Sequence, residues 1–340
     1  MGKTFADDLL AWYDREARSL PWRIPPGGPL QDPYRVLVSE IMLQQTTVAV
    51  VQTRFVAFLD QFPDLFALAR APEADVLAAW AGLGYYRRAR SLHACAKALV
   101  DDHSGEFPST EEALKQLPGI GEYTAAAIAS IAFGQPAVVV DGNIERVMAR
   151  VHSIATPLPK GKKDIKAAAA DVSPTDRPGD YAQALMDLGA RICRPKAADC
   201  LLCPVRRHCR IQREGDPLAL PVKAPRKAKQ TVEGSIYVAV NGDDCVLCED
   251  RPDDGLFAGM LGLPGGGWDG RTPPVSLHGG EVCGSFSHIL THRRLAIDVH
   301  RADAPSADQN FRWVPIDHAR RTMPTLFRKA LDQALSSDGS

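Results

Sequence analysis

The chain has 340 residues, 45% hydrophobic and 24% charged, with a formal net charge of −1. Such a composition suits one large domain or two ordinary ones and excludes a disordered chain. No apolar run is long enough to cross a bilayer, and the first twenty residues mix acids with bases around no apolar centre, so neither a membrane span nor a signal peptide is expected. Ala6 argues against an N-myristoylation site, and a soluble, cytoplasmic protein is the expectation.

Residues 1–220 read as mostly helical. Apolar positions recur at helical spacing in VLVSEIMLQQTTVAVVQTRFVAFL, ADVLAAWAGL, RARSLHACAKALV and TAAAIASIAF, with breaks at Pro63, Pro72, Pro108 and Pro118. In the first run, the i±3 and i±4 neighbours of Glu40 are Val36, Leu37, Leu43 and Gln44, three of them apolar. A carboxyl in that setting has a raised pKa and suits a proton donor. The alternative is a glutamate that reaches the surface on its methylene stem.

Residues 117–130, LPGIGEYTAAAIAS, place Gly119 and Gly121 around a very short turn before a helix of small residues. Two glycines permit backbone angles that other residues resist, and they expose amides at a helix N-terminus, a ready anion site. A tight turn without a ligand is the plainer reading. Further on, Asp141 follows the apolar run AVVV and opens the helix DGNIERVMARV. It reads as an N-cap, and the capping amides also suit an acid held ionised.

Eight cysteines in a chain without an export signal point away from disulfides. Cys193, Cys200, Cys203 and Cys209 follow C-x6-C-x2-C-x5-C. Four thiolates in one loop can enclose zinc or a [4Fe–4S] cluster. Zinc sites usually pair two C-x-x-C knuckles, whereas here one C-x-x-C is flanked by single cysteines. Cys95, Cys245, Cys248 and Cys283 read as packing residues. From Arg191 to Lys229 there are eleven Lys/Arg against three Asp/Glu, leaving the rest of the chain at −9. This basic segment is either a face that touches a polyanion or a solubilising linker.

The stretch 221–230, PVKAPRKAKQ, reads as a linker. After it, SIYVAV, CVLCED and LAIDVHRA have strand composition, and TLFRKALDQAL looks like a closing helix, so residues 231–340 form a small α+β unit.

The cysteine spacing resembles the [4Fe–4S] loop of the endonuclease III and MutY glycosylases. LPGIGEYTA resembles the helix–hairpin–helix motif of that superfamily, which grips phosphate without reading sequence. SEIMLQQT and VDGNIERVMAR resemble the MutY catalytic segments. LFAGMLGLPGGGWDG looks like a degenerate Nudix (MutT-like) fold, without the glutamates after Gly267 that a working Nudix box needs for magnesium. The fold class this implies is an all-α glycosylase domain with an iron–sulfur loop at 193–209, followed by a Nudix-like domain.

The resemblance implies excision of adenine from A:8-oxoguanine or A:G mispairs in duplex DNA, by a monomeric, nucleoid-associated bacterial enzyme carrying a [4Fe–4S] cluster. Adenine leaves readily only when protonated, and its departure leaves positive charge on the sugar. By the match, Glu40 protonates adenine at N7 and Asp141 stabilises or captures the oxocarbenium ion, with Asn143 and Tyr123 assisting. Bifunctional relatives carry a lysine at the Tyr123 position. A phenol forms no imine, so strong lyase activity is not expected.

By the same match Arg23, in LPWR, faces the site, and Gln45 enters the base stack. Leu83 and Tyr85, in GLGYYRRARSL, wedge beside the oxidised guanine and support base flipping. Core packing is the alternative for the tyrosines. Phe286, Ser287 and His288 match a loop that recognises 8-oxoguanine; by itself Ser287 is an ordinary turn serine. Three other functions fit parts of the pattern. A glycosylase/lyase for pyrimidine lesions is opposed by Tyr123, and a Nudix hydrolase by the missing acids. The third is a non-catalytic DNA-binding cluster protein.

Overall fold

Several helix starts in the first unit are fixed by side-chain caps. Thr4 opens Phe5–Glu16 with a reciprocal pair: its hydroxyl accepts from Asp7 N, and the Asp7 carboxylate accepts from Thr4 N. Asp32 caps Pro33–Leu43, with Pro33 in the first turn. The computed structural model describes residues 2–224, 229–252, 255–273, 277, 280–290, 293–303 and 311–336. The chain divides into two compact units, Met1–Pro225 and Arg226–Ser340.

The first unit is helical. Pro33–Leu43 is buried along most of its length, as is its main packing partner Glu122–Phe133, whose run of alanines lets the two approach closely. Helices apolar on every side belong in the middle of a core. Gly142–Val151 and Pro178–Arg191 pack on each other, and the latter also covers Glu122–Phe133. Gly189 sits where these helices cross: a β-carbon there would lie 2.6 Å from Asn143 Cβ. Only glycine allows that approach, which sets the start of Gly142–Val151 against its neighbour.

The run from Val36 to Leu59 reads as continuously helical but forms two helices, Pro33–Leu43 and Val48–Gln61. Between them Gln44 is extended and Gln45 adopts φ 58°. The orphan carbonyls at the end of the first helix are taken by a buried guanidinium from elsewhere in the chain, Arg88.

The second unit has seven strands among its described residues: β1 (Gln230–Val238), β2 (Cys245–Asp250), β3 (Leu261–Gly262), β4 (Gly265–Gly266), β5 (Glu281–Ile289), β6 (Arg293–Arg301) and β7 (Phe311–Pro315). One sheet has the order β4-β1-β6-β5, with β1 and β6 parallel; the other has the order β3-β2-β7 and is antiparallel. The helix Thr325–Ser336 packs on β1, β5 and β6, burying Phe327 and Leu331 with Ile297, Val299 and Trp268. The three predicted strands and the closing helix all form. Cys95 and Cys248 are buried and Cys283 packs on the core of this unit, whereas Cys245 is only half-buried.

Both ends of the stretch 221–230, read as a linker, take part in regular contacts. Leu158 N donates to Val222 O, Ala224 N donates to Leu158 O, and Gln230 already belongs to β1. Residues 225–228 of that stretch lie outside the described residues. No described helix is long and apolar enough to cross a membrane.

Candidate active site

A cavity of about 420 Å³ in the helical unit is lined by Glu40, Tyr123, Asp141, Asn143, Arg23 and Gln45, all expected site residues, and also by Arg18, Trp22 and Gln183. Glu40 is buried at 5% exposure rather than reaching the surface. The Tyr123 hydroxyl donates to Glu40 Oε2 at 2.6 Å. Burial pushes the Glu40 carboxyl up to about 7. The Tyr123 hydrogen bond opposes that rise, the Asp141 charge adds to it and Arg23 opposes it. Burial and the neighbouring Glu40 hold the Tyr123 hydroxyl well above its ordinary value, so it stays a neutral donor. The site therefore holds a carboxylic acid that keeps its proton near neutrality.

Asp141 is both an N-cap and a pocket residue. Its Oδ1 accepts from the backbone N of Asn143 at 2.9 Å and of Ile144 at 2.7 Å, and its Oδ2 accepts from Asn143 Nδ2 at 2.8 Å. The orientation of the Asn143 amide is fixed from behind. Arg146 Nη2 donates to Asn143 Oδ1 at 3.0 Å and to Gly189 O at 2.7 Å, and its Nε donates to Cys193 O at 2.8 Å. Asp187, with its side chain fully buried, binds two of the lining residues, Arg23 Nη1 at 2.8 Å and Arg18 Nε at 2.7 Å. Sequence reasoning missed Arg18, Gln183, Asp187 and Arg146. An acid within the apolar stretch ALMDLG was the one local signal for Asp187.

Of the two hairpin glycines only Gly119 needs to be glycine. Its φ is 75°, and a β-carbon there would lie 2.5 Å from Ser91 Cβ. Gly121, at φ −91°, is ordinary extended backbone; it is the N-cap of Glu122–Phe133, with no side-chain cap bond to the first-turn amides. The wedge residues also divide. Gln45 and Tyr85 are exposed, Tyr85 at 61%, and both have left-handed backbones (φ 58° and 48°). Leu83 is 4% exposed and belongs to the hydrophobic core, so its side chain is not displayed for insertion.

Cys193, Cys200, Cys203 and Cys209 line one cavity together with Arg150. Among the described residues no group of three or more His, Cys, Asp or Glu is placed to hold a metal ion. Arg150 is 1% exposed; its Nη1 lies 3.2 Å from Cys193 Sγ and also donates to Arg194 O. No carboxylate among the described residues pairs with this buried cation. A negatively charged, thiolate-bound group in the cavity would complement it. Burial pushes the free Cys203 thiol up to about 12, so a metal group is needed to hold it as a thiolate. Of the other cations in this segment, Arg194 pairs with Asp199 and Arg207 with Asp8, whereas Lys196, Arg206 and Arg210 pair with no carboxylate among the described residues.

Phe286, Ser287 and His288 lie in strand β5 rather than in a loop, opposite Ile297, Ala296 and Leu295 of β6. Phe286 packs toward the core of the second unit, and Ser287 faces solvent. Burial and the nearby Lys329 lower the pKa of His288, which favours the neutral ring. Residues 291–292, which follow this strand in the sequence SFSHILTHRR, lie outside the described residues.

Residues 38–174 match the model of the HhH-GPD superfamily of base excision DNA repair proteins, and residues 235–333 match that of the NUDIX domain. The adenine DNA glycosylase of Mus musculus is 35% identical, covering 91% of this chain and 73% of its own length. That of Homo sapiens is 36% identical over 85% of this chain and 66% of its own. That of Mycolicibacterium smegmatis is 40% identical over 62% and 70%. Among solved structures, a thermostable thymine-DNA glycosylase superposes with a TM-score of 0.55 at 28% identity, over 62% of this chain and 95% of its own. Endonuclease III in a non-covalent DNA complex shares the fold at 22% identity and a TM-score of 0.51, over 62% and 94%.

Proposed function

Because the chain belongs to the adenine DNA glycosylases, within the HhH-GPD superfamily of base excision repair proteins, we propose that this DNA N-glycosylase excises adenine paired with 8-oxoguanine or guanine, without a covalent lyase step. The observation that carries this reading is the pair of unlike acids in one cavity: Glu40 buried with its pKa near 7, and Asp141 held by three N–H donors. Glu40 gives its proton to N7 of adenine as the glycosidic bond breaks and the bonding electrons pass to the base. Asp141 faces the positive sugar, which water or the carboxylate itself then captures. The Tyr123 hydroxyl orients Glu40, and Asn143 orients Asp141.

Around the pocket, the Gly119 turn and the amides after Gly121 hold backbone phosphate, Arg23 lines the base side, and exposed Gln45 and Tyr85 enter the duplex beside the target pair. In the second unit Ser287, displayed by β5 with Phe286 and His288 as neighbours, meets the altered edge of 8-oxoguanine. The four cysteines hold a [4Fe–4S] cluster that staples the basic loop and supplies the anionic partner of Arg150; the chemistry at adenine is left to the chain's own residues. Purified holoprotein is then expected to show a broad absorbance band near about 400 nm that bleaches on cluster loss. A colourless, zinc-loaded protein with full activity would remove the cluster from this reading.

The deciding experiment incubates the protein with an A:8-oxoguanine duplex, with and without hot alkali. Strand scission at adenine only after alkali is the expected result. Scission without alkali makes the protein a lyase, and tight binding with no adenine released makes it a DNA-binding protein.

A further inference from the structure

Arg88 lies in the helix Arg87–His103, 9% exposed, and has no place in the chemistry described so far. Its guanidinium closes two loops at once. Nη1 donates to Ile41 O at 3.0 Å, Met42 O at 2.9 Å and Gln44 O; Nη2 donates to Thr46 Oγ1 at 3.0 Å, Leu83 O at 2.8 Å and Gly84 O at 3.0 Å. These acceptors bracket Gln45 on both sides and run up to Tyr85 on one. Gln45 and Tyr85 are two exposed residues with left-handed backbones, a conformation that side chains with a β-carbon adopt only when their surroundings impose it. The same cation lies 5.6 Å from the Tyr85 ring centroid and 5.5 Å from that of the buried Trp80, so it also supports the aromatic ring from below.

We propose that Arg88 is a positioning residue that locks Gln45 and Tyr85 into one rigid pair, so that both enter the duplex together and drive the target base out of the stack. The inference rests on the reading of those two residues as inserting groups. A guanidinium suits the task because its planar fork reaches acceptors in two directions at fixed angles, which a lysine cannot reproduce. Free tips would have to find their left-handed conformations during each encounter with DNA. Pre-set tips have that ordering completed in the free protein.

The test compares single-turnover excision from two DNAs: one with adenine opposite 8-oxoguanine, the other with adenine already unpaired opposite an abasic site. Arg88→Lys and Arg88→Met are measured beside Gln45→Ala and Tyr85→Ala. On the paired duplex the Arg88 variants are expected to lose at least about tenfold, the scale of a misplaced positioning group. On the unpaired adenine most of that loss should disappear. Arg88→Met strands several carbonyls and can fail to fold; Arg88→Lys then carries the comparison, with its melting curve as the check on folding. Equal loss on both DNAs by a folded variant, or no loss on either, overturns the clasp. If Gln45→Ala and Tyr85→Ala both keep the full rate on the paired duplex, the insertion reading fails first and the clasp with it.

Discussion

Replacing Glu40 with glutamine should abolish adenine release while leaving the protein folded, bound to DNA and, above neutral pH, more stable than before. The loss in single-turnover rate is expected at about 10²- to 10⁴-fold, the range general acid catalysis supplies. Glutamine matches glutamate in volume and still accepts from the Tyr123 hydroxyl, but it has no proton to give to a leaving base. In the native protein the rate should fall about tenfold per pH unit above pH ~7, because only the protonated acid works and the Glu40 carboxyl titrates at about 7. Stability carries an independent signature. The folded protein binds this proton more tightly than the unfolded chain, so the destabilisation is absent below the ordinary carboxylate value of 4.5, grows as pH rises, and is complete above about 7. That gap corresponds to roughly 3 kcal/mol for a fully buried group. Glu40→Gln should therefore melt at a higher temperature than native protein at pH 8 but not at pH 4. A variant that loses activity and stability together at pH 8 would mark Glu40 as a structural residue.

The sequence made Glu40 legible because its warrant is local: three apolar neighbours one turn away put its carboxyl in the core. The cysteine loop was legible for a similar reason, since four rare ligand residues within seventeen positions leave few other uses. The groups that tune the pocket were not legible. Asp187 meets Arg23 and Arg18 across 164 and 169 residues of chain. Arg88 meets the end of Pro33–Leu43 across more than forty. No periodicity reports such contacts. Strand β5 was hidden because GSFSHI alternates weakly; the strand forms by pairing with β6 and by the cover of Thr325–Ser336. Leu83 ends the predicted helical run ADVLAAWAGL, and the family match alone assigned it to the DNA; in the free protein its side chain is buried in the core.

Asp141→Asn should separate the two roles that coincide at this residue. As an N-cap, asparagine is about as good as aspartate, so the start of Gly142–Val151 should survive, since one oxygen can still accept from the amides of Asn143 and Ile144. What changes is the charge, together with one local bond. The new Nδ2 would face Asn143 Nδ2, donor against donor, and Asn143 cannot easily flip because Arg146 Nη2 holds its Oδ1. That mismatch should cost on the order of 1 kcal/mol, a shift of a few degrees in melting temperature. Excision should fall much further, by about 10²- to 10³-fold, because the sugar's positive charge develops against a neutral amide instead of an anion. The affinity for mispaired duplex should change little, since the ground-state sugar carries no charge for Asp141 to attract, and the loss should appear in kcat rather than in binding. Asp141→Ala removes cap and charge together and should lose about 1 kcal/mol of stability and at least as much activity. If Asp141→Asn excises adenine within threefold of the native rate, the carboxylate is only a cap, and the stabilising anion must be sought elsewhere on the pocket wall.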